Sequence, residues 1–263
     1  MKLSVSNIAW NESFNDTIYE YLAQEDYTGI EIAPKKIFPN FPDVNPDELI
    51  EFKNSINKKY HLIISSMQGI WYGITENIFS SAQERAFLLD YTKKIIISAE
   101  YLECKNIVFG CPKNRAFAGK LDNGIAESFF YELGCYAEKH NTVIALEPNP
   151  IIYNTNFLNT TKDVIDFISN ANCYGLKINV DLGTIIYNNE KLDNIIDNIT
   201  FINHVHISEP NLEHIQKRAI HEELALILRD NKYKNYVSIE MKEQNNINKV
   251  MDVIKYIKSI FNE

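Results

Sequence analysis

Three carboxylates and one imidazole carry the strongest chemical signal in this sequence: Glu147, Asp181, His206 and Glu240. Each lies at the end of a short β-branched run, in the segments TVIALE, LKINVD, INHVHI and YVSIE. The steps between them are 34, 25 and 34 residues, each close to one strand–helix unit. On successive parallel strands, such ends converge on one point. Three carboxylates gathered and buried there cannot all stay ionised without a cation. Oxygen-rich ligation with one imidazole suits Mn²⁺, Co²⁺ or Mg²⁺ ahead of Zn²⁺, whose structural sites favour Cys and His. The expectation is one divalent metal ion, with a proton-transfer apparatus built into its ligands.

The elements that must position this quartet alternate along the chain. Strand candidates are Leu3–Ala9, Gly29–Ala33, Leu62–Met67, Asn106–Gly110, Val143–Glu147, Lys177–Asp181, Ile202–Ile207 and Tyr236–Glu240. Helical segments are expected at Asn11–Gln24, Asn45–Tyr60, Ser81–Leu102, Gly124–Lys139, Thr160–Ser169, Glu190–Asn198, His221–Arg229 and Asn246–Phe261. Pro46 followed by Asp47 and Glu48 suits a first helical turn, and Thr160 or Thr161 before Asp163 suits an N-cap. Eight strand–helix units predict a single (β/α)8 TIM barrel domain over residues 1–263. A doubly wound sheet is the alternative, but SNIAWN after the first strand lacks the glycine-rich turn such folds carry. Strand side chains alternate between two faces, so Ala145, Asn179, His204 and Ser238 share the quartet's face one layer deeper. His204 reads as a hydrogen-bonded support rather than a fifth ligand.

Composition narrows the function classes. The chain of 263 residues is 45% hydrophobic and 23% charged, and its nine glycines mark no flexible linker. A formal net charge of −9 disfavours nucleic acid and anionic membrane surfaces as partners. No apolar run is long enough to span a bilayer. Cys104, Cys111, Cys135 and Cys173 form no CxxC pair and read as reduced thiols. MKLSVSNIAW runs straight into a strand with no signal peptide before it, so a cytoplasmic enzyme is expected.

If the strands form a barrel, substrate contacts come from the rim at their C-terminal ends. Lys113, Asn114 and Arg115 follow the fourth strand, where a phosphate or carboxylate could be gripped. Solvated loop charges are the ordinary alternative. Gln68 and Asn149 could bond substrate hydroxyls or merely cap loops. Trp10, Trp71 and Tyr72 could wall a pocket or simply pack. Glu209 lies three residues after His206 and could orient a ligand or a hydroxyl. His221 reads as a surface or capping residue.

The segments ALEPNP, NVDLGT, HVHISEP and VSIEMK resemble the four metal-bearing strand ends of the xylose-isomerase-like TIM barrel superfamily. FGCPKNR, SSMQ and YNTNFLNT resemble its sugar phosphate isomerase/epimerase branch, and the resemblance covers essentially the whole chain. It implies one divalent ion on Glu147, Asp181, His206 and Glu240, with Glu147 and Glu240 also as the catalytic acid–base pair. The implied activity is isomerisation or epimerisation of a sugar or sugar phosphate through an enediolate, with a small-molecule sugar as partner and a possible homodimer. A keto-polyol dehydratase on the same scaffold is the close alternative. An endonuclease-IV-like phosphodiesterase or a non-catalytic sugar-binding barrel is more distant. Many family epimerases carry a His three residues after the metal Asp and an Arg six residues after the metal His. Here those positions are Thr184 and Leu212.

Overall fold

All eight runs form strands, because Ile and Val suit an extended chain whose two faces are both covered. The computed structural model describes residues 1–261, so the last two residues of the expected domain, Asn262 and Glu263, lie outside the described residues. The strands are β1 Lys2–Val5, β2 Gly29–Ile32, β3 Ile63–Met67, β4 Ile107–Phe109, β5 Ile144–Leu146, β6 Leu176–Asp181, β7 Ile202–Ile207 and β8 Tyr236–Ile239. All pairings are parallel, in the order β1-β8-β7-β6-β5-β4-β3-β2. Between β1 and β2 a Ser6–Glu31 bridge and the Thr28 N–H donated to Leu3 O all but close the ring. The fold is a TIM barrel.

The helices are α1 Asn15–Gln24, α2 Pro46–Tyr60, α3 Ala82–Tyr101, α4 Asn123–Lys139, α5 Thr161–Ala171, α6 Leu182–Asn188, α7 Asp193–Asp197, α8 Ala219–Asp230 and α9 Ile247–Phe261. Several starts are set by side-chain caps. Asn45 accepts from Asp47 N ahead of Pro46, and Ser81 accepts from Glu84 N. Thr160 and Asp163 form a reciprocal capping box on α5. Two segments depart from expectation. The first expected helix opens as a 3-10 turn, Glu12–Phe14, before α1. Helix α6 follows β6 directly, in a segment where the sequence pattern predicted no helix.

The core lies between sheet and helices. On the α3–α4 side, Phe109 of β4 meets Trp71 and Phe130 edge-on, with centroids 4.7 and 4.9 Å away. Inside the barrel the lining turns polar: Ser4, Ser66, Asn179, His204 and Ser238 are all buried. This interior supports the charged rim above it.

Candidate metal centre and substrate cavity

The strand ends deliver the quartet as a unit. Glu147 directly follows β5, Asp181 ends β6, His206 is the penultimate residue of β7, and Glu240 directly follows β8. In register, Asp181 stands opposite His206. All four residues are buried, and one ligand atom from each lies within 4.8 Å of the others. His206 Nδ1 is 3.0 Å from Glu147 Oε1 and 3.1 Å from Glu240 Oε2. Glu147 and Glu240 come from strands three places apart, so they enter the cluster from different sides of the barrel.

Each carboxylate is held by neighbours. Asn179 Nδ2 donates to Glu147 Oε1 at 2.6 Å, and Asn149 Nδ2 donates to Oε2 at 3.1 Å. Gln68 Nε2 donates to Glu240 Oε1 at 3.0 Å and to Ser6 Oγ at 2.9 Å. Asp181 Oδ1 accepts from Thr184 N at 2.6 Å, and Ser208 Oγ donates to Oδ2. Thr184 Oγ1 lies 2.7 Å from Asp181 Oδ1 and 2.8 Å from Pro148 O. Gly110 leaves room for the Glu147 carboxylate: a Cβ there would lie 2.6 Å from Glu147 Oε2.

Protonation follows from burial and crowding among the protein groups alone. Burial, reinforced by Glu147, holds the Asp181 carboxyl up at about 6. Burial pushes Glu240 up to about 7, against the pull of the His206 imidazolium. His206 is pushed down by burial, yet Glu240, Glu31 and Glu147 hold it well above its ordinary value. Burial keeps the neighbouring His204 below its ordinary value despite Glu31. Burial also raises Glu31, but the two imidazoles outweigh it and hold that carboxylate well below its usual range. Protons here do the work that a cation would do, and the donor set fits a hard divalent ion.

Glu147, Asp181 and Glu240 form one side of a cavity of about 560 Å³, walled also by Gln68, Trp71, Lys113, Asn149, Tyr153 and Leu212, with His206 buried beneath them. Among the expected substrate residues, Gln68, Asn149, Lys113 and Asn114 lie on this wall. Asn114 Nδ2 also donates to Ile74 O and Glu76 O, at 3.0 and 2.8 Å, pinning the loop after β3. Arg115 is placed otherwise. Its guanidinium is fully buried behind Glu147, donating to Glu147 O and Asn149 Oδ1, each at 2.7 Å. Glu209 is buried away from the cavity wall and takes Arg218 Nε and Nη2 at 2.7 Å each. Trp10 turns into the core, where its indole donates to Asn15 Oδ1 at 2.8 Å and meets Tyr19 edge-on. Trp71 and Tyr72 do line the cavity. His221 is buried within α8 rather than on the surface, 2.9 Å from the Tyr256 hydroxyl.

Sequence reasoning gave no role to Glu31 or Ser208, and placed Asn179 only in the layer beneath the quartet. Glu31 had a signal: a lone acid inside the otherwise apolar GIEI run, whose four residues are all buried. Ser208 had none, because its contact with Asp181 depends on how β6 and β7 align.

A family profile described as xylose isomerase-like TIM barrel matches residues 19–260. The chain belongs to that family. Solved structures with the same fold include the 3-keto-D-glucoside 4-epimerase YcjR from E. coli, at 19% identity and a TM-score of 0.78, covering 98% of this chain and 99% of that one. D-Psicose 3-epimerase from Clostridium cellulolyticum H10, crystallised with D-tagatose, follows at 14% identity and a TM-score of 0.77, covering 99% of each chain. The probable 3-DHS dehydratase AsbF from Bacillus anthracis shares 17% identity with a TM-score of 0.65, covering 100% of this chain and 99% of that one. At such identities the likeness is one of fold. A search of curated proteins gives no match. Among the described residues, no helix is long and apolar enough to cross a membrane.

Proposed function

We propose that this protein is a divalent-metal-dependent isomerase or epimerase of a sugar or sugar phosphate. The observation that carries the reading is the quartet itself: two glutamates from separated strands meet one aspartate and one histidine beside a cavity. Glu147, Asp181, His206 and Glu240 would hold the ion, with Mn²⁺, Co²⁺ and Mg²⁺ ahead of Zn²⁺ on the chemistry of the donors. A bound divalent cation supplies a Lewis acid that polarises a carbonyl and offsets negative charge developing on the substrate oxygens.

The chain's own groups supply the proton transfers. Glu240 is placed as the base, since its carboxyl lines the cavity, within reach of a substrate held there. Gln68 fixes its orientation through Oε1. Glu147 is held by Asn179 and Asn149 and approaches from the other side, so it can return a proton to the opposite face of the same carbon. That sequence inverts the carbon and is an epimerisation. Return to the neighbouring carbon is an aldose–ketose isomerisation, and loss of a hydroxyl from the adjacent carbon is dehydration. The first is favoured because two separate carboxylates flank the cluster.

Lys113 on the cavity wall can meet an anionic substituent, so phosphorylated ketoses belong among the candidate substrates beside free ones. Thr184 and Leu212 stand where many family epimerases carry His and Arg. Thr184 is spent on Asp181 and Pro148, and Leu212 presents an apolar wall. The substrate therefore differs from those bound through that His and Arg.

A panel of free and phosphorylated ketoses, incubated with Mn²⁺-loaded protein and followed by product NMR, tests the reading. Metal-dependent formation of an epimer or an aldose–ketose pair is expected. No turnover of any ketose, or turnover unchanged after the metal is stripped, would count against it.

A further inference from the structure

β2 carries a carboxylate into the barrel interior beneath the proposed metal centre. Glu31 is fully buried, and its Oε2 lies 2.9 Å from His206 Nε2 and 3.2 Å from His204 Nε2. Its backbone is fixed from both sides. A register shift falls between Ile30 and Glu31 against β3, and Ser6 bridges Glu31 where the barrel closes. Irregularities of this kind re-aim a side chain. Burying a carboxylate costs several kcal/mol unless it is paired, and its partners here are the two imidazoles.

His206 thus has carboxylates at both ring nitrogens. On the Nδ1 side stand Glu147 and Glu240, which face the cavity and the rest of the quartet. On the Nε2 side stands Glu31, which lies outside the quartet. A neutral imidazole carries one proton. If Nδ1 is to offer its lone pair, the proton must sit on Nε2 and point at Glu31. Asn179 Nδ2, 3.1 Å from Nδ1, is a donor and favours the same arrangement. The His204 ring stands perpendicular to that of His206, with centroids 5.3 Å apart, and braces the Glu31 carboxylate from below.

We propose that Glu31 is a positioning residue that holds His206 as the Nε2–H tautomer and aims its Nδ1 lone pair at the divalent cation. This rests on the reading of His206 as a metal ligand. Glu31 touches no substrate. It acts by fixing ring orientation and raising the basicity of the ligand nitrogen, as outer carboxylates do for ligating histidines.

Two measurements test the assignment. Glu31→Gln keeps the shape and removes the charge, and Mn²⁺ affinity read by titration is expected to fall about 10–100-fold, in a variant whose circular dichroism shows the fold intact. Wild-type affinity in that variant would overturn the proposal. The second measurement needs no variant. Long-range ¹H–¹⁵N spectra of histidine-labelled wild-type protein loaded with Zn²⁺ are expected to place the His206 proton on Nε2, and a proton on Nδ1 would overturn the proposal. If the wild-type chain takes up no Mn²⁺ at all, the reading of the quartet fails and this inference with it. If it binds Mn²⁺ and Glu31→Gln binds it equally well, only the role of Glu31 fails.

Discussion

Asp181 serves two tasks that conflict without a cation. Its carboxylate caps the α6 N-terminus through Thr184 N and accepts from Ser208, both of which favour the charged form. Burial and the nearby Glu147 disfavour that form more strongly and hold the carboxyl at about 6. Glu240 sits at about 7 for the same leading reason. Both groups bind protons more tightly in the folded chain than in the unfolded one. The metal-free protein therefore loses their contribution to stability as pH rises from the ordinary carboxylate range through about 6 and 7. A cation must displace those protons, so its apparent affinity rises over the same window. The stabilisation by a fixed Mn²⁺ concentration should be larger at pH 8 than at pH 6, and reach about 2.7 kcal/mol where the ion is 100-fold above its Kd. Thermal unfolding with and without Mn²⁺ at the two pH values checks this, and equal shifts would contradict it.

The elements place these residues with little slack. Ser81, Asn45 and the Thr160–Asp163 box start three helices at positions legible from side-chain chemistry alone. The short α6 was not legible. Its β-branched residues Thr184, Ile185 and Ile186 favour a strand, and it becomes a helix because Asp181 caps it and Gly183 N donates to Ser208 Oγ at 2.8 Å. Gly183 is needed for that approach, since a Cβ there would lie 2.9 Å from Glu209 C. Gly110 plays the matching part at the end of β4. A Gly110→Ala change puts its methyl group 2.6 Å from Glu147 Oε2 and 3.5 Å from Asn149 Oδ1. The Glu147 carboxylate must swing out of the cluster, while the strand itself can stay. We expect Mn²⁺ affinity to weaken by about tenfold or more, as when ligand supports are lost, with the metal-free thermal midpoint nearly unchanged. Isothermal titration and a melting curve on the same preparation would show it, and undiminished affinity would refute the crowding argument.

At the scale of the whole molecule, the repeat of strand and helix was the legible part. Eight β-branched runs at barrel spacing give eight parallel strands, because each run is buried on both faces and needs no partner information to be recognised. The convergence of Glu147, Asp181, His206 and Glu240 followed from that count. What surrounds them was harder to read, since it depends on alignment across the barrel. Arg115 looked like an anion clamp from its place in PKNR, yet it is buried as a brace for the Glu147 backbone. Trp10 looked like a pocket wall and packs on Tyr19 instead. Glu31 was legible only as a lone acid in an apolar run, and its place against His206 depends on how the strands align across the barrel. The same ring of strands holds Glu147 and Glu240 on different sides of the cluster, and on that separation the proposed chemistry depends. If one glutamate takes a proton and the other returns a different one, a ketose turned over in D₂O must acquire solvent deuterium at the carbon beside its carbonyl. Product NMR of the Mn²⁺-loaded protein with its substrate reads this directly. We predict one deuterium at that carbon in the product, with both turnover and label lost in Glu147→Gln and Glu240→Gln. Turnover without solvent label, as an internal hydride shift would give, or full labelling by both variants, would contradict the account.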